Sequence, residues 1–304
     1  MPLEADLLLD RRRLKRRLSL WRAGAVLALA ALALFATADR LDLPVGLPGQ
    51  HVARLELEGF IGDDRRLVEA LARAGRNPGV KAVIVAIDSP GGSVAGGEAV
   101  HGALSRLAGG GKPVVAVMGG TAASAGYMVA LPAARIFARE ATVTGSIGVI
   151  LQTFDASELL ARLGVQAQTI ASGRFKDQPS PFRPLSEEGR AQLARVVSDL
   201  HAQFVAMVAA GRRLPEERVR ELADGRVFTG REALALGLVD AIGGEAEARA
   251  WLAAERGVPE GLPVREIEVR SFSERNFGAL LDGVLKSLAH EWLGVDRVRA
   301  VWQP

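Results

Sequence analysis

The chain has no cysteine in 304 residues. Disulfide frameworks, thiolate nucleophiles and cysteine-held metals are thereby excluded. Aromatic residues amount to 5%, with one tyrosine, Tyr127. A core dominated by rings is out of reach, and close packing of alanine and other small side chains has to replace it. Histidine is scarce: His51, His101, His201 and His290 show no metal-ligand spacing, and HExxH is absent. No GxSxG stretch occurs, so a Ser-His-Asp hydrolase has little support. Residues 109–112 read GGGK but lack the first glycine and the Ser/Thr of a phosphate-binding loop; they read as a loop before a strand. No cofactor is implied. Lysine is scarce too, at Lys15, Lys81, Lys112, Lys176 and Lys286 only.

What is present begins with charge, and with where it lies. The isoelectric point is near 9.7, yet residues 1–22 hold seven basic and three acidic side chains. That tail carries +4 of a whole-chain +3, leaving −1 for the remainder. With no basic stripe interleaved with aromatics, nucleic acid is not an expected partner.

The basic tail runs into an uncharged segment, Ala23–Ala38. Its length as a helix is ~24 Å, a little short of a ~30 Å hydrocarbon core, and Trp21 and Arg22 extend it as interfacial anchors. The cation excess precedes the run. The positive-inside rule therefore keeps residues 1–22 in the cytoplasm and exports the chain beyond Asp39. Ala36-Thr37-Ala38 is also an acceptable cleavage site for a removed signal peptide; the long basic region favours a retained anchor. Residues 39–50, rich in Pro and Gly, read as a linker.

From residue 51 helices and strands alternate. Strands are expected at His51–Ile61, Lys81–Asp88, Pro113–Met118, Ala134–Ala138 and Val264–Val269. Helices are expected at Asp64–Ala74, Val94–Leu107, from about Ser124, and at Leu185–Arg212, Arg231–Leu236 and Glu245–Glu255. That alternation predicts an α/β fold with a mostly parallel sheet covered by helices. Phe277–Leu293, within a C-terminal segment 271–304, has the apolar spacing of an amphipathic helix.

Two of these strands end in glycines and enter helices: IDSPGGSV (87–94) and PVVAVMGG (113–120), the second continuing as TAASAGY. Glycine there allows backbone excursions that a side chain forbids, at the end of an open sheet where ligands bind. Free N–H groups from one strand end and the lone hydroxyl of Ser124 from the next are the parts of an acyl-transfer site, a nucleophile beside an oxyanion hole. The plainer roles are a tight turn for the glycines and a helix N-cap for Ser124. A serine also needs a base. With histidine unpromising, a lysine whose ammonium is destabilised by burial is the remaining common choice. Lys15 is cytoplasmic, Lys81 and Lys112 stand at strand starts, and Lys286 lies far off in sequence. Lys176, in SGRFKDQPSPF after a strand-like segment, is the candidate by elimination, with a surface salt bridge as its plainer role.

TAASAGYMVA, TGSIGV (144–149), SGRFKD and VFTGREALALGLVDAIGG (227–244), together with DSPGG (88–92), resemble the signal peptide peptidase A family over about residues 50–245. These are membrane-anchored Ser/Lys peptidases. The resemblance implies a ClpP/crotonase-like fold of repeated ββα units spanning 51–270, plus one N-terminal transmembrane helix at the bacterial inner membrane with the peptidase domain outside the cytoplasm. It implies Ser124 as nucleophile, Lys176 as general base, Ser146 as a serine orienting the lysine, and the N–H groups of Gly92 and Ala125 as the oxyanion hole. It further implies cleaved signal peptides as substrates and a homo-oligomeric ring, tetramer or octamer, in which serine and lysine can come from different chains. Ala125 stands where the family usually has glycine, which keeps the N–H. Met128 replaces a frequent second aromatic, which bears on pocket shape. Rival readings are a Ser/Lys membrane protease cutting a stomatin-like partner, a crotonase-like acyl-CoA enzyme and a catalytically dead scaffold.

Overall fold

The computed structural model describes residues 49–269 together with Trp21, Arg22 and Val26, which are helical. The expected tail, anchor and most of the linker otherwise lie outside the described residues, as do the C-terminal segment 271–304 and the helix expected at 277–293. The strands are β1 (His51–Ile61), β2 (Val80–Gly92), β3 (Val114–Ala123), β4 (Arg135–Ala138), β5 (Val143–Gly145), β6 (Val227–Thr229), β7 (Ala241–Ile242) and β8 (Val264–Glu266). The helices are α1 (Arg65–Arg76), α2 (Val94–Gly109), α3 (Ala125–Ala130), α4 (Ser157–Arg162), α5 (Glu187–Arg212), α6 (Glu216–Leu222), α7 (Gly230–Ala235) and α8 (Glu245–Arg256).

One eight-stranded sheet results, ordered β6-β5-β3-β2-β1-β8, with β4 on β3 and β7 on β4. Every pair is parallel except β5–β6. The expected mostly parallel α/β arrangement is thus what forms. Its central strands are apolar on both faces because helices cover both: Ala82, Val83, Ile84 and Val85 are at most 1% exposed. On one side Val52, Ile84, Val115 and Phe137 pack with Ala248, Leu252 and Val258, from α8 and just beyond it. On α1, the residues Leu67, Ala70, Leu71 and Ala74 recur at helical spacing and are buried. Asp64 caps that helix through its side chain, and Ser93 does the same for α2.

Two strands run further than their apolar cores suggest. β2 continues through Asp88-Ser89-Pro90-Gly91-Gly92, and β3 through Gly119-Gly120-Thr121-Ala122-Ala123. Both bend on the way. The β1–β2 register slips between Glu58/Phe60, and the β2–β3 register slips between Ile87/Ser89. Slips of this kind add residues to one strand and kink it. At the β3 bend the Asp88 carboxylate accepts from the Thr121 N–H at 3.0 Å, and side chains at Gly119 would crowd it. After its bend β3 changes partner, from β4 (Val115↔Arg135) to β5 (Ala123↔Gly145). In the first half of the chain, therefore, a bent strand and then a helix recur where two strands and a helix were expected.

Among the described residues α5 is the one helix long and apolar enough to cross a membrane by length and composition; it buries Phe204, Val205 and Val208. The segment before Lys176 is not a strand. Residues 165–171 pair with nothing in the sheet and are exposed.

A buried clamp fixes the back of the fold. The Arg212 guanidinium on α5 forks onto Asp240, at 2.6 Å and 3.0 Å, and donates to Gly237 O, while Asp240 also accepts from the Ile136 N–H at 2.7 Å. Burial by itself raises the Asp240 carboxyl, but the Arg212 hydrogen bonds and charge outweigh it and hold it below the usual carboxylate range. A lowered carboxyl contributes stability above its unfolded value, and that contribution is lost as pH falls through the folded value. Arg212 is only 8% exposed in its side chain, so Asp240→Asn strands a buried cation and is expected to cost about 3 kcal/mol at pH 7. Calorimetry at pH 7 is expected to show the variant melting several degrees lower, with the gap to wild type closing as pH falls below the carboxylate range.

Candidate active site

Ser124 stands between the end of β3 and the start of α3, in the N-cap position. Its hydroxyl caps nothing. Its backbone sits at φ 53°, ψ −119°, a conformation uncommon for any residue but glycine. What holds it there is tertiary: its N–H donates to Gly145 O at 2.9 Å. The hydroxyl has no hydrogen-bond partner among the described residues, so the plainer role of helix cap does not apply.

Facing it is the end of β2. A Cβ on Gly91 would lie 3.0 Å from Ser124 Cβ and 3.4 Å from its Oγ, and Gly91 is at φ +137°. Only glycine satisfies both conditions. One residue on, Gly92 pairs with Ile61, while Ser93 N–H donates to Ile61 O at 3.0 Å. In a parallel ladder that pattern turns the N–H of Gly92 itself away from β1. Pairing of β2 with β3 has ended at Ser89↔Ala122, so this N–H faces the side on which Ser124 stands. Ala125 is the first residue of α3, and its N–H belongs to the turn that has no intrahelical acceptor.

The third contributor is β5. Gly145, at φ +81°, touches the Phe228 ring where a Cβ would sit, and Ser146 comes next at φ 48°. Ser146 N–H donates to Arg226 O at 2.8 Å, across the antiparallel β5–β6 pair. Two left-handed residues in succession turn the chain immediately beside the carbonyl that holds Ser124. Ser124, Gly92, Ala125 and Ser146 therefore gather at one place. Lys176 makes no hydrogen bond to any of them among the described residues. It is exposed, its N–H donates to Gly173 O, and among the described residues its amine meets neither Ser124 nor a carboxylate.

Residues behind the site hold α3 in place. Tyr127 is fully buried and its hydroxyl donates to Leu238 O at 2.8 Å. Burial pushes its phenol well above the usual range, so it stays a donor. Met128 is also buried, with its sulfur 2.9 Å from where a Gly97 Cβ would sit, so it fills the space between α3 and α2. Sequence reasoning passed over Gly91, Gly145 and Ser89 as individuals; DSPGG and TGSIG were their signal.

Residues 107–259 match peptidase family S49. A Synechocystis protein named as a protease is 41% identical over 221 residues, covering 72% of this chain and 79% of that one. The chain belongs to peptidase family S49. An Enterococcus faecium protein named as signal peptide peptidase SppA is 33% identical, over 66% of this chain and 62% of its own. This S49 chain thus spans less than two thirds of the Enterococcus relative. Among solved structures, a ClpP1 mutant from Listeria monocytogenes aligns at a TM-score of 0.43 and 16% identity, over 63% of this chain and 91% of that one. S49 members are serine-type peptidases, the class the Ser124 surroundings suit.

Proposed function

We propose that this chain is a membrane-bound serine endopeptidase with a Ser124/Lys176 dyad, acting on cleaved signal peptides and other extended apolar segments. Ser124 Oγ attacks the peptide carbonyl carbon as Lys176 Nζ takes its proton, and Ser146 orients that amine. The N–H groups of Gly92 and Ala125 hold the tetrahedral oxyanion. Collapse expels the amine, which regains the proton from the lysine, and water then releases the acyl group. The observation that carries this reading is the unspent hydroxyl of Ser124, held in a strained backbone against Gly91. Alanine and glycine around it suit small residues at the cleaved bond.

A working base has to be neutral and dry, and Lys176 is exposed. The arm that carries it also exposes Ile150, Phe154, Leu163 and Ile170, at 69–103%, and flanks a groove of about 730 Å³ at the start of α5. Apolar surface on that scale marks a contact. In this reading a ring, tetramer or octamer, covers the arm and brings Lys176 of one copy to Ser124 of the next. Residues 1–22 lie in the cytoplasm, 23–38 anchor the chain in the bacterial inner membrane, and 51–270 work outside the cytoplasm.

The test is labelling of the assembled protein with a fluorophosphonate, with the modified site mapped by mass spectrometry. The expected result is one adduct, on Ser124, that Ser124→Ala abolishes. Adducts elsewhere, or undiminished labelling of the variant, would overturn the assignment.

A further inference from the structure

We propose that Ser89 is a positioning residue for the oxyanion-binding strand; the inference rests on the reading of Ser124 as nucleophile and Gly92 N–H as oxyanion donor. Ser89 is 0% exposed. Its hydroxyl donates to Gly59 O at 2.6 Å, lies 3.1 Å from Gly91 O, and accepts from Gly91 N–H at 3.1 Å. That oxygen therefore holds the Gly91 N–H and ties it to the glycine at the register slip of β1, itself at φ +67°.

The geometry makes this pin consequential. Pro90 fixes its own φ through its ring, but Gly91 and Gly92 have no side chains to restrict rotation. In a planar trans peptide the C=O and N–H point in opposite directions. Gly91 O and Gly92 N–H belong to the same plane; the pairing with Ile61 turns its carbonyl toward β1, and the Ser89 hydroxyl, by holding the Gly91 N–H, fixes the preceding plane from which it turns. Rotation of that plane would replace a donor with a carbonyl beside the nucleophile. Ser89 also contacts the other half of the site. A Cβ on Gly126 would lie 2.9 Å from Ser89 O and 3.3 Å from Ser89 Cβ, so the first turn of α3 rests on this residue. The strand carrying one donor and the helix carrying the other are thus registered against a single buried serine.

Ser89→Ala removes one oxygen and creates no clash. In the full chain, assembled in detergent, it is expected to lower kcat by about 10- to 100-fold, less than the loss of an entire oxyanion donor, with KM little changed. Ser89→Cys, a weak donor of similar shape, is expected to fall between. The discriminating readout compares a peptide ester with its thionoester. An aligned hole favours oxygen over sulfur at the carbonyl, so the ester-to-thionoester ratio of kcat/KM is expected to drop about tenfold in Ser89→Ala. A general packing defect slows both substrates alike and leaves the ratio at the wild-type value; that result overturns the inference, as does a wild-type kcat. Ser124→Ala is measured alongside. If it is inactive while Ser89→Ala is fully active, the inference alone fails. If Ser124→Ala still turns over, the reading beneath it fails and takes the inference with it.

Discussion

Lys176→Ala is expected to lower peptide turnover by about 10²- to 10⁴-fold, the range a general base contributes, while thermal stability of the assembled protein stays near wild type. Within one chain the side chain makes no ion pair or hydrogen bond among the described residues, and in the proposed assembly its removal leaves only the neutral hydroxyls of Ser124 and Ser146 beside it, with no charge stranded. Ser124→Ala is expected to be equally silent in folding and at least as inactive. The two dead variants then become a test of assembly. If the amine of one copy serves the hydroxyl of the next, co-assembled Ser124→Ala and Lys176→Ala subunits contain some sites with both groups intact. Turnover is expected to return on mixing by dissociation and reassembly, and to stay absent when each variant is reassembled alone. No recovery in hetero-assemblies verified by mass spectrometry would place both groups in one chain.

Gly92→Ala is expected to be the most damaging single methyl addition in this region. Its Cβ would lie 2.0 Å from Ile61 O, 2.7 Å from Ile61 C and 2.8 Å from Ile61 Cα. All three are backbone atoms, so no flexible side chain can yield. Either β1 or β2 has to move, and the Ser93 N–H bond to Ile61 O goes with it. A cost of about 3 kcal/mol is expected from overpacking, read as a lower denaturant midpoint at unchanged slope. Turnover is expected to fall by about 10²- to 10³-fold, the loss that accompanies removal of one oxyanion donor. The two effects come from one cause, displacement of the strand end. A variant that unfolds early yet hydrolyses peptide at the wild-type rate would remove Gly92 from the proposed mechanism.

Local pattern made much of this fold legible. KAVIVAI could only be a buried strand, and Leu67, Ala70, Leu71 and Ala74 gave α1 its inward face. The helix expected at Val94–Leu107 forms as α2, with Ser93 as its cap. The alternation of such segments sufficed for a mostly parallel α/β sheet. β5, β6 and β7 were not foreseen, because two or three residues span at most one and a half repeats of the two-residue strand period, too few to stand out. β5 pairs residues 143–145 with 227–229, which no local window joins. The segment before Lys176 illustrates the converse: it has residues suited to a strand but pairs with nothing in the described sheet.

Composition and order along the chain were enough to say which residue types are available for chemistry: no thiol, few imidazoles, five lysines, and a serine flanked by small residues after a strand ending in glycines. They were also enough for the alternation that lays those strands side by side. Folding in three dimensions was needed to establish that Ser124 caps nothing, that Gly91 lies against it, and that Gly145 O holds its N–H. Those outcomes depend on register slips in neighbouring strands and on contacts between residues some twenty to thirty positions apart. The energy of a strained backbone angle is met by the packing around it, and no stretch of chain encodes its surroundings alone.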